Sequence, residues 1–153
     1  MAKIVCVANQ KGGVGKTTTA INVAAGLAKA GKSALVIDID PQCNATSGLG
    51  VEPGQRHPLV SGRPLAEYLV ETSQPGLQVL PGSQSLADAD ALSAPNRQRA
   101  ALLRQQLHGE LSHFDYILLD CPPSLGQLTR AALGASAEIL IPVPERLGEE
   151  VVV

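Results

Sequence analysis

The feature that most constrains this chain is a segment rich in glycine and lysine, Lys11–Thr19 (KGGVGKTTT). It follows an apolar, β-branched run at residues 3–8 (KIVCVA), and from Thr17 to Ala30 apolar residues recur at helical spacing. Glycines let the backbone curl so that successive N–H groups point inward, and the following helix adds the positive end of its dipole. The segment predicts a phosphate-binding loop; a glycine-rich turn without a ligand is the alternative.

The rest of the chain continues to alternate strands with helices. Apolar runs predict further strands at Ala34–Ile39, Leu77–Leu80, Tyr116–Leu119 and Glu138–Val143. Helical spacing predicts helices at Leu65–Val70, Arg97–Leu111 and Leu125–Leu133, and the Gly- and Pro-rich stretch from Gly48 to Arg63 predicts an exposed loop. This alternation is typical of an α/β fold, a mostly parallel sheet flanked by helices.

Composition excludes several classes of protein. The chain has 153 residues, of which 44% are hydrophobic and 17% charged, which favours one globular domain over disorder. A net charge of −2 and only 2% aromatic residues argue against a basic nucleic-acid module and against stacking platforms for single strands. Three widely spaced cysteines without a CxxC pair argue against a disulfide framework or a zinc ribbon. Without an apolar run of ~18 residues or a signal peptide, we expect a cytoplasmic protein that does not enter a membrane.

The loop residues themselves suggest roles. Lys16 can reach the β- and γ-phosphates of a nucleotide, and the Thr17 hydroxyl is placed to ligate Mg²⁺, as in a P-loop. The match to the standard P-loop pattern is incomplete, because Gln10 stands where that pattern asks for glycine. Lys11 adds a second lysine just inside the loop.

With that second lysine, KGGVGKT resembles the deviant Walker A motif of the family that includes the ParA/Soj partition ATPases, MinD and the nitrogenase iron protein. The resemblance implies that Lys11 reaches across a dimer interface to the nucleotide bound by the partner; a solvated loop lysine is the alternative. The residues expected to bind nucleotide are Lys11, Gly12, Gly13, Val14, Gly15, Lys16, Thr17 and Thr18.

Acidic residues follow two of the predicted strands. Asp38 and Asp40 end the second strand, and the continuation DPQCNATSGLG resembles the switch I segment of ParA proteins. The resemblance implies that Asp40 orients the attacking water, whereas Asp38 is either functional or structural. Asp120 ends the strand YILL before CPPS, which is typical of a Walker B carboxylate that holds Mg²⁺ through water. Lys11 and Asp40 are therefore the candidate catalytic residues, and Thr17 and Asp120 the candidate metal ligands.

The resemblance implies an Mg²⁺-dependent ATPase that binds ATP and ADP, dimerises with ATP, works with a ParB-like partner and partitions plasmid or chromosomal DNA. It covers the chain to Val143, after which PERLGEEVVV departs from the family, so we expect one P-loop domain over residues 1–153 that is incomplete after about residue 143. Truncation, frameshift and a natural short form all fit. A non-catalytic nucleotide-binding remnant is the main alternative, and a MinD-like positioning ATPase a weaker one.

The remaining polar and sulfur-bearing residues carry lesser expectations. The only local basic cluster comprises Arg97, Arg99 and Arg104, so we expect weak or absent DNA binding. All three histidines are expected to be solvent-exposed: His57, His108 and His113. Cys43 and Cys121 are expected to be small structural residues rather than redox or iron–sulfur ligands.

Overall fold

The computed structural model describes residues 2–8, 15–91, 96–124 and 126–142. Within these residues, six strands form one sheet with the spatial order β3-β4-β2-β5-β1-β6. The strands are β1 (Lys3–Val7), β2 (Ala34–Asp38), β3 (Val70–Glu71), β4 (Leu77–Leu80), β5 (Tyr116–Asp120) and β6 (Glu138–Leu140). The α-helices are α1 (Lys16–Lys29), α2 (Asn44–Gly48), α3 (Pro58–Ser61), α4 (Asn96–Leu111) and α5 (Gln127–Ala135), with 3-10 helices at Leu65–Tyr68 and Gln84–Ala91.

The sheet is parallel except at one edge, which confirms the predicted α/β class. β5 lies between β1 and β2, so that Asp120 is the register partner of Val7 on one side and of Asp38 on the other. The two-residue strand β3 pairs antiparallel with β4. The sequence did not predict β3, since a two-residue pairing is too short to leave a periodic pattern.

Both faces of the sheet are buried, which explains why its central strands read as continuous apolar runs. Alternate residues of each strand enter two separate cores. One core contains Ile4, Cys6, Leu35, Ile37 and Leu119 together with Leu103, Leu107 and Leu111 of α4. The other contains Val5, Val7, Val36 and Leu118 together with Ala20, Ala24 and Ala28 of α1. These alanines place small side chains of α1 against this face of the sheet.

Several element boundaries differ from the predictions. The helix predicted at Leu65–Val70 is a 3-10 helix over Leu65–Tyr68, and Val70 instead begins strand β3. α5 begins at Gln127 rather than Leu125, and β6 ends at Leu140, while Val143 lies outside the described residues. The predicted 48–63 loop contains the short helix α3, which starts where the His57 side chain accepts a hydrogen bond from Leu59 N and Pro58 occupies the first turn. None of the helices among the described residues is long and apolar enough to cross a membrane.

Two helical glycines give a matched test of this packing. A Cβ added to Gly134 in α5 would lie 2.7 Å from the Cβ of Ala100 in α4, whereas a Cβ added to Gly26 in α1 meets nothing within 4 Å. We expect Gly134→Ala to lower the free energy of unfolding by about 1–3 kcal/mol, because the helices must separate. We expect Gly26→Ala to raise it by about 0.5–1 kcal/mol, because alanine favours a helix. Urea denaturation measures both values, and a change of the same sign in both variants would contradict this packing.

Candidate functional site

Four polar side chains meet at the carboxyl edge of the sheet, where β1, β2 and β5 end side by side. Lys16 and Thr17 occupy the first turn of α1, which begins at Lys16 with Gly15, the last glycine of the glycine-rich segment, as its N-cap. Gly15 has a φ of 79°, a left-handed conformation that glycine adopts without strain. Asp120 is the last residue of β5, and Asp40 stands two residues beyond β2. The alternation of strand and helix thus gathers residues from distant parts of the chain.

A buried ion pair joins two of these side chains. Lys16 Nζ lies 2.6 Å from Asp120 Oδ1, with 10% of the lysine side chain and none of the aspartate side chain exposed. Thr17 Oγ1 donates a hydrogen bond of 3.1 Å to the other oxygen, Asp120 Oδ2. Burial raises the pKa of Asp120 to about 6, although the Lys16 charge acts in the opposite direction. The carboxylate therefore depends on a nearby cation for its charge.

Asp40 stands on the opposite side of the same lysine. Its Oδ2 lies 3.8 Å from Lys16 Nζ, and its Oδ1 accepts a hydrogen bond of 2.9 Å from Gln42 N. With 4% of its surface exposed, Asp40 is nearly buried, yet one carboxylate oxygen points toward the lysine. Lys16, Asp40 and Asp120 thus form one charged cluster, as their positions in the sequence predicted.

Asp38 belongs to a different set of contacts. It is fully buried, and its Oδ2 accepts hydrogen bonds from Thr46 N at 3.0 Å and from Thr46 Oγ1 at 2.6 Å. Burial raises the pKa of Asp38, and these hydrogen bonds partly offset that effect. Of the two alternatives left open for this residue, the contacts favour an organising role, since its oxygens are used within the protein.

The arrangement of oxygen atoms suits a magnesium ion that is shared with phosphate. The Thr17 hydroxyl and the Asp120 carboxylate are hard oxygen donors, which Mg²⁺ prefers, and Mg²⁺ usually takes one or two protein ligands together with phosphates and water. Among the described residues, no group of three or more His, Cys, Asp or Glu side chains could hold a metal. The Thr17 and Asp120 oxygens fit a magnesium ion that arrives with a nucleotide.

The other predicted nucleotide-binding residues are only partly covered by the described chain. Lys11, Gly12, Gly13 and Val14 lie outside the described residues, so their roles stay predictions. Thr18 lies in the first turn of α1 with an exposed side chain.

His57 corrects the prediction that the histidines are exposed, since only 1% of its surface is accessible. Its Nδ1 accepts a hydrogen bond from Leu59 N, so Nε2 carries the proton and donates to the main-chain oxygen of Asp38 at 3.2 Å. Burial lowers the pKa of His57 to about 4. His108 is half-buried, and His113 is exposed as predicted. A histidine beside a proline gives no periodic signal of burial, which is why the sequence misplaced it.

The buried His57 predicts a pH effect on stability. Between pH 6.5 and pH 4 the unfolded chain binds a proton at this imidazole while the folded chain does not, so acidification weakens folding. We expect the titration of His57 to lower the free energy of unfolding by up to about 3 kcal/mol as the pH falls from 6.5 to 4. Above pH 6.5 we expect His57 to cause no such change. The raised pKa of Asp120 acts in the opposite direction, because the folded chain then binds the extra proton. The contribution of His57 must therefore be measured as the difference between the wild type and a variant that lacks this imidazole.

Urea denaturation of the wild type and His57→Gln at several pH values isolates the effect. The difference in unfolding free energy between them should shift by about 3 kcal/mol against the wild type as pH falls from 6.5 to 4. The exposed His113 supplies the control variant, His113→Gln, which removes an imidazole that the fold does not enclose. A difference between the wild type and His57→Gln that does not change with pH would contradict the buried neutral imidazole.

The cysteines are buried thiols. Cys6 Sγ lies 3.0 Å from Cys121 Sγ across β1 and the end of β5, a contact that the sequence analysis missed because it depends on strand register. Burial raises the pKa of Cys43 to about 11. The hydrogen bond to Cys6, together with burial, raises the pKa of Cys121. The thiols of Cys43 and Cys121 are protonated at neutral pH, and all three cysteines are enclosed, as expected of small structural side chains.

Fold and site together define the class of P-loop NTPases: a parallel α/β sheet in which β1 leads into a lysine-bearing helix start beside two strand-end aspartates. The profile of a protein family described as an AAA domain matches residues 2–148, and the chain belongs to that family.

Relatives within this class confirm the resemblance to ParA and Soj. The chain is 45% identical over 148 residues to the chromosome partitioning protein ParA of Myxococcus xanthus, covering 94% of this chain and 52% of that protein. It is also 45% identical over 148 residues to the sporulation initiation inhibitor protein Soj of Bacillus subtilis, covering 94% of this chain and 58% of that protein. The chain thus spans little more than half the length of these relatives.

Solved structures are similar to this chain in fold as well as in sequence. The crystal structure of cobyrinic acid a,c-diamide synthase from Mycobacterium smegmatis, with bound ADP and magnesium, superposes with a TM-score of 0.85 and 36% sequence identity. That match covers 94% of this chain and 60% of the other. That protein therefore holds ADP together with magnesium.

Proposed function

We propose that this chain is a ParA/Soj-type ATPase domain that binds Mg·ATP at the carboxyl edge of its sheet and hydrolyses it slowly. The observation that carries the proposal is the position of Lys16 Nζ between Asp120 at 2.6 Å and Asp40 at 3.8 Å, at the N-terminus of α1. Backbone N–H groups and the helix dipole at such a terminus attract phosphate, and a lysine there supplies the matching charge.

Each residue of the cluster has a proposed task. Lys16 binds the β- and γ-phosphates, so a triphosphate competes with Asp120 for the ammonium group. Thr17 and Asp120 hold the magnesium ion, Asp120 through water. When bound, that ion neutralises charge that develops on the phosphate oxygens. Asp40 orients the water that attacks the γ-phosphate, since its Oδ2 faces the lysine while its Oδ1 is fixed by Gln42.

The wider role is proposed from the relatives. Two of them are a chromosome partitioning protein and a sporulation initiation inhibitor protein. We propose that this chain acts in DNA partition in the cytoplasm, as a single P-loop domain. On this proposal it forms an ATP-dependent dimer in which Lys11 contacts the partner's nucleotide, and it responds to a ParB-like partner.

The experiment that tests the proposal measures ATP turnover and oligomeric state together. Phosphate release is followed at saturating Mg·ATP, and light scattering behind size exclusion gives the molar mass with ATP, with ADP and without nucleotide. Turnover accompanied by an ATP-dependent mass increase supports the proposal. Nucleotide binding without turnover or association would instead identify a non-catalytic remnant, and absence of binding would contradict both.

DNA binding by this chain is proposed to be weak. Two of the three clustered arginines are engaged within the fold, because Arg99 Nη1 donates to Gln127 Oε1 at 2.8 Å and Arg104 Nη2 donates to the Gly134 carbonyl at 3.2 Å. Non-specific affinity for duplex DNA requires several free cations on one face. An anisotropy titration at near-physiological salt, with Mg·ATP present, should therefore give no submicromolar binding. Submicromolar, ATP-dependent binding would contradict this proposal.

A further inference from the structure

The carboxylate of Asp40 depends on neighbouring groups for its position. Asp40 lies in the turn between β2 and α2, and its own backbone N–H donates a hydrogen bond of 3.1 Å to Asp38 Oδ1. Gln42 N donates to Asp40 Oδ1 at 2.9 Å, and Cys43 N donates to Asp40 O at 2.9 Å. The hydrogen bond from Asp40 N to Asp38 Oδ1 ties the turn to Asp38. The position of Asp40 therefore depends on how firmly the Asp38 carboxylate is held.

Thr46 in α2 holds that carboxylate. Its N–H and its hydroxyl both donate to Asp38 Oδ2, at 3.0 and 2.6 Å, and the residue is fully buried. The same hydroxyl oxygen accepts a hydrogen bond of 2.7 Å from Gly82 N, in the segment that follows β4. The Thr46 hydroxyl thus donates one hydrogen bond and accepts another, and it links α2 both to β2 and to the end of β4.

The close approach of Gly82 makes this link possible. A Cβ built on Gly82 would lie 2.9 Å from Asp38 Cγ and 3.0 Å from Asp38 Oδ2, too close for any side chain. On the other side, His57 Nε2 donates to the main-chain oxygen of Asp38 at 3.2 Å. Asp38 is therefore fixed through both its side chain and its backbone, by groups from three separate segments.

We propose that Thr46 is a positioning residue, which acts through Asp38 to hold the Asp40 carboxylate beside Lys16. The inference rests on the proposed function in one respect, namely that Asp40 orients the attacking water. Without the Thr46 hydroxyl, Gly82 N loses its acceptor and Asp38 Oδ2 loses its shortest hydrogen bond, so the turn that carries Asp40 loosens. Nucleotide binding, which depends on Lys16, should change little.

Two substitutions at Thr46 separate the hydroxyl from packing. Thr46→Val keeps the shape and removes the hydroxyl, while Thr46→Ser keeps the hydroxyl and removes a methyl group. The chain also offers a matched control, Thr129→Val, because Thr129 is 1% exposed and its Oγ1 has no hydrogen-bond partner among the described residues. Asp38→Asn is the second variant of the network, used if Thr46→Val does not unfold cooperatively. The asparagine NH₂ group then faces one of the backbone N–H groups whose hydrogen bonds the Asp38 carboxylate accepts in the wild type.

Amide hydrogen exchange and steady-state kinetics are measured on all of these variants. In Thr46→Val, we expect exchange at the amides of Asp40 and Gln42 to accelerate by about tenfold or more, since their local opening becomes easier. We expect kcat for ATP to fall by about tenfold or more while KM stays within about threefold. Thr46→Ser and Thr129→Val should stay close to the wild type in both measurements.

Unchanged exchange at Asp40 and Gln42 in Thr46→Val, or equal acceleration in Thr46→Ser, would overturn the inference. If the wild type binds ATP without hydrolysing it, the proposed function fails in its catalytic part and the exchange measurements alone decide the positioning role. Faster exchange confined to Thr46→Val and Asp38→Asn would then support the positioning role of Thr46. Failure of the proposed ATPase activity can thus be told apart from failure of the positioning role.

Discussion

Replacing Lys16 with alanine is expected to abolish nucleotide binding, weakening the affinity for Mg·ATP by about 100-fold or more. The ammonium group is the positive side chain that faces the proposed phosphate site within the described residues, and it already lies 2.6 Å from one carboxylate and 3.8 Å from another. Its removal would leave a triphosphate next to two buried acidic groups. Calorimetric titration with ATP and with ADP measures the effect.

The matched control for this variant is Lys29→Ala, at the other end of the same helix. Lys29 is exposed in the last turn of α1, so its removal takes one positive charge from α1 without touching the site. Because Lys16→Ala also leaves the buried Asp120 without its cation, cooperative unfolding of the variant should be confirmed first. An ATP affinity equal to that of the wild type in a folded Lys16→Ala protein would contradict the assignment of the phosphate site.

Substitution of Asp40 should separate hydrolysis from binding. We expect Asp40→Ala to bind Mg·ATP within about threefold of the wild-type affinity and to hydrolyse it at least about 100-fold more slowly. The expectation follows from geometry, since Asp40 Oδ2 faces Lys16 at 3.8 Å and does not make the closest contact with it. Phosphate release under single-turnover conditions, together with calorimetry, gives both values and should reveal an accumulated ATP-bound state.

Asp40→Asn refines that experiment, because an amide oxygen can still accept the hydrogen bond from Gln42 N. If orientation of water needs the negative charge, Asp40→Asn should be as slow as Asp40→Ala. The exposed Glu52 provides a charge-matched control, Glu52→Gln, which should leave turnover unchanged. Loss of ATP binding in both Asp40 variants would show that the residue is structural.

The fold could be predicted where elements are long and buried on a regular face. β4 and α4 were predicted to within one residue, because Leu77–Leu80 lies between two Pro-Gly pairs and Leu103, Leu107 and Leu111 recur along one buried face of α4. The antiparallel strand β3 and the helix α3 were missed. With two residues in β3 and four in α3, both are too short to repeat a periodic pattern, and tertiary contacts rather than local sequence determine them.

The charged residues of the site could be predicted from the sequence, but the residues that support them could not. Lys16 begins the helix after β1, Asp120 ends β5, and Asp40 stands two residues beyond β2. Parallel strands bring their carboxyl ends to one edge, so the cluster follows from topology. Thr46, His57 and Gly82 support that cluster through contacts between segments far apart in sequence. A lone threonine, histidine or glycine in a polar stretch carries no sign of such a contact.

The most direct test of the central claim, that this edge of the sheet holds a nucleotide together with magnesium, is calorimetric titration of ATP with and without Mg²⁺. It is carried out on the wild type and on Asp120→Asn, which removes the charge of the proposed metal ligand. We predict one ATP per chain for the wild type, with affinity at least about tenfold tighter in Mg²⁺ than in EDTA, and loss of that magnesium dependence in Asp120→Asn. An absence of ATP binding by the wild type, or an equal magnesium dependence in the two proteins, would contradict a site for nucleotide and magnesium at this edge of the sheet.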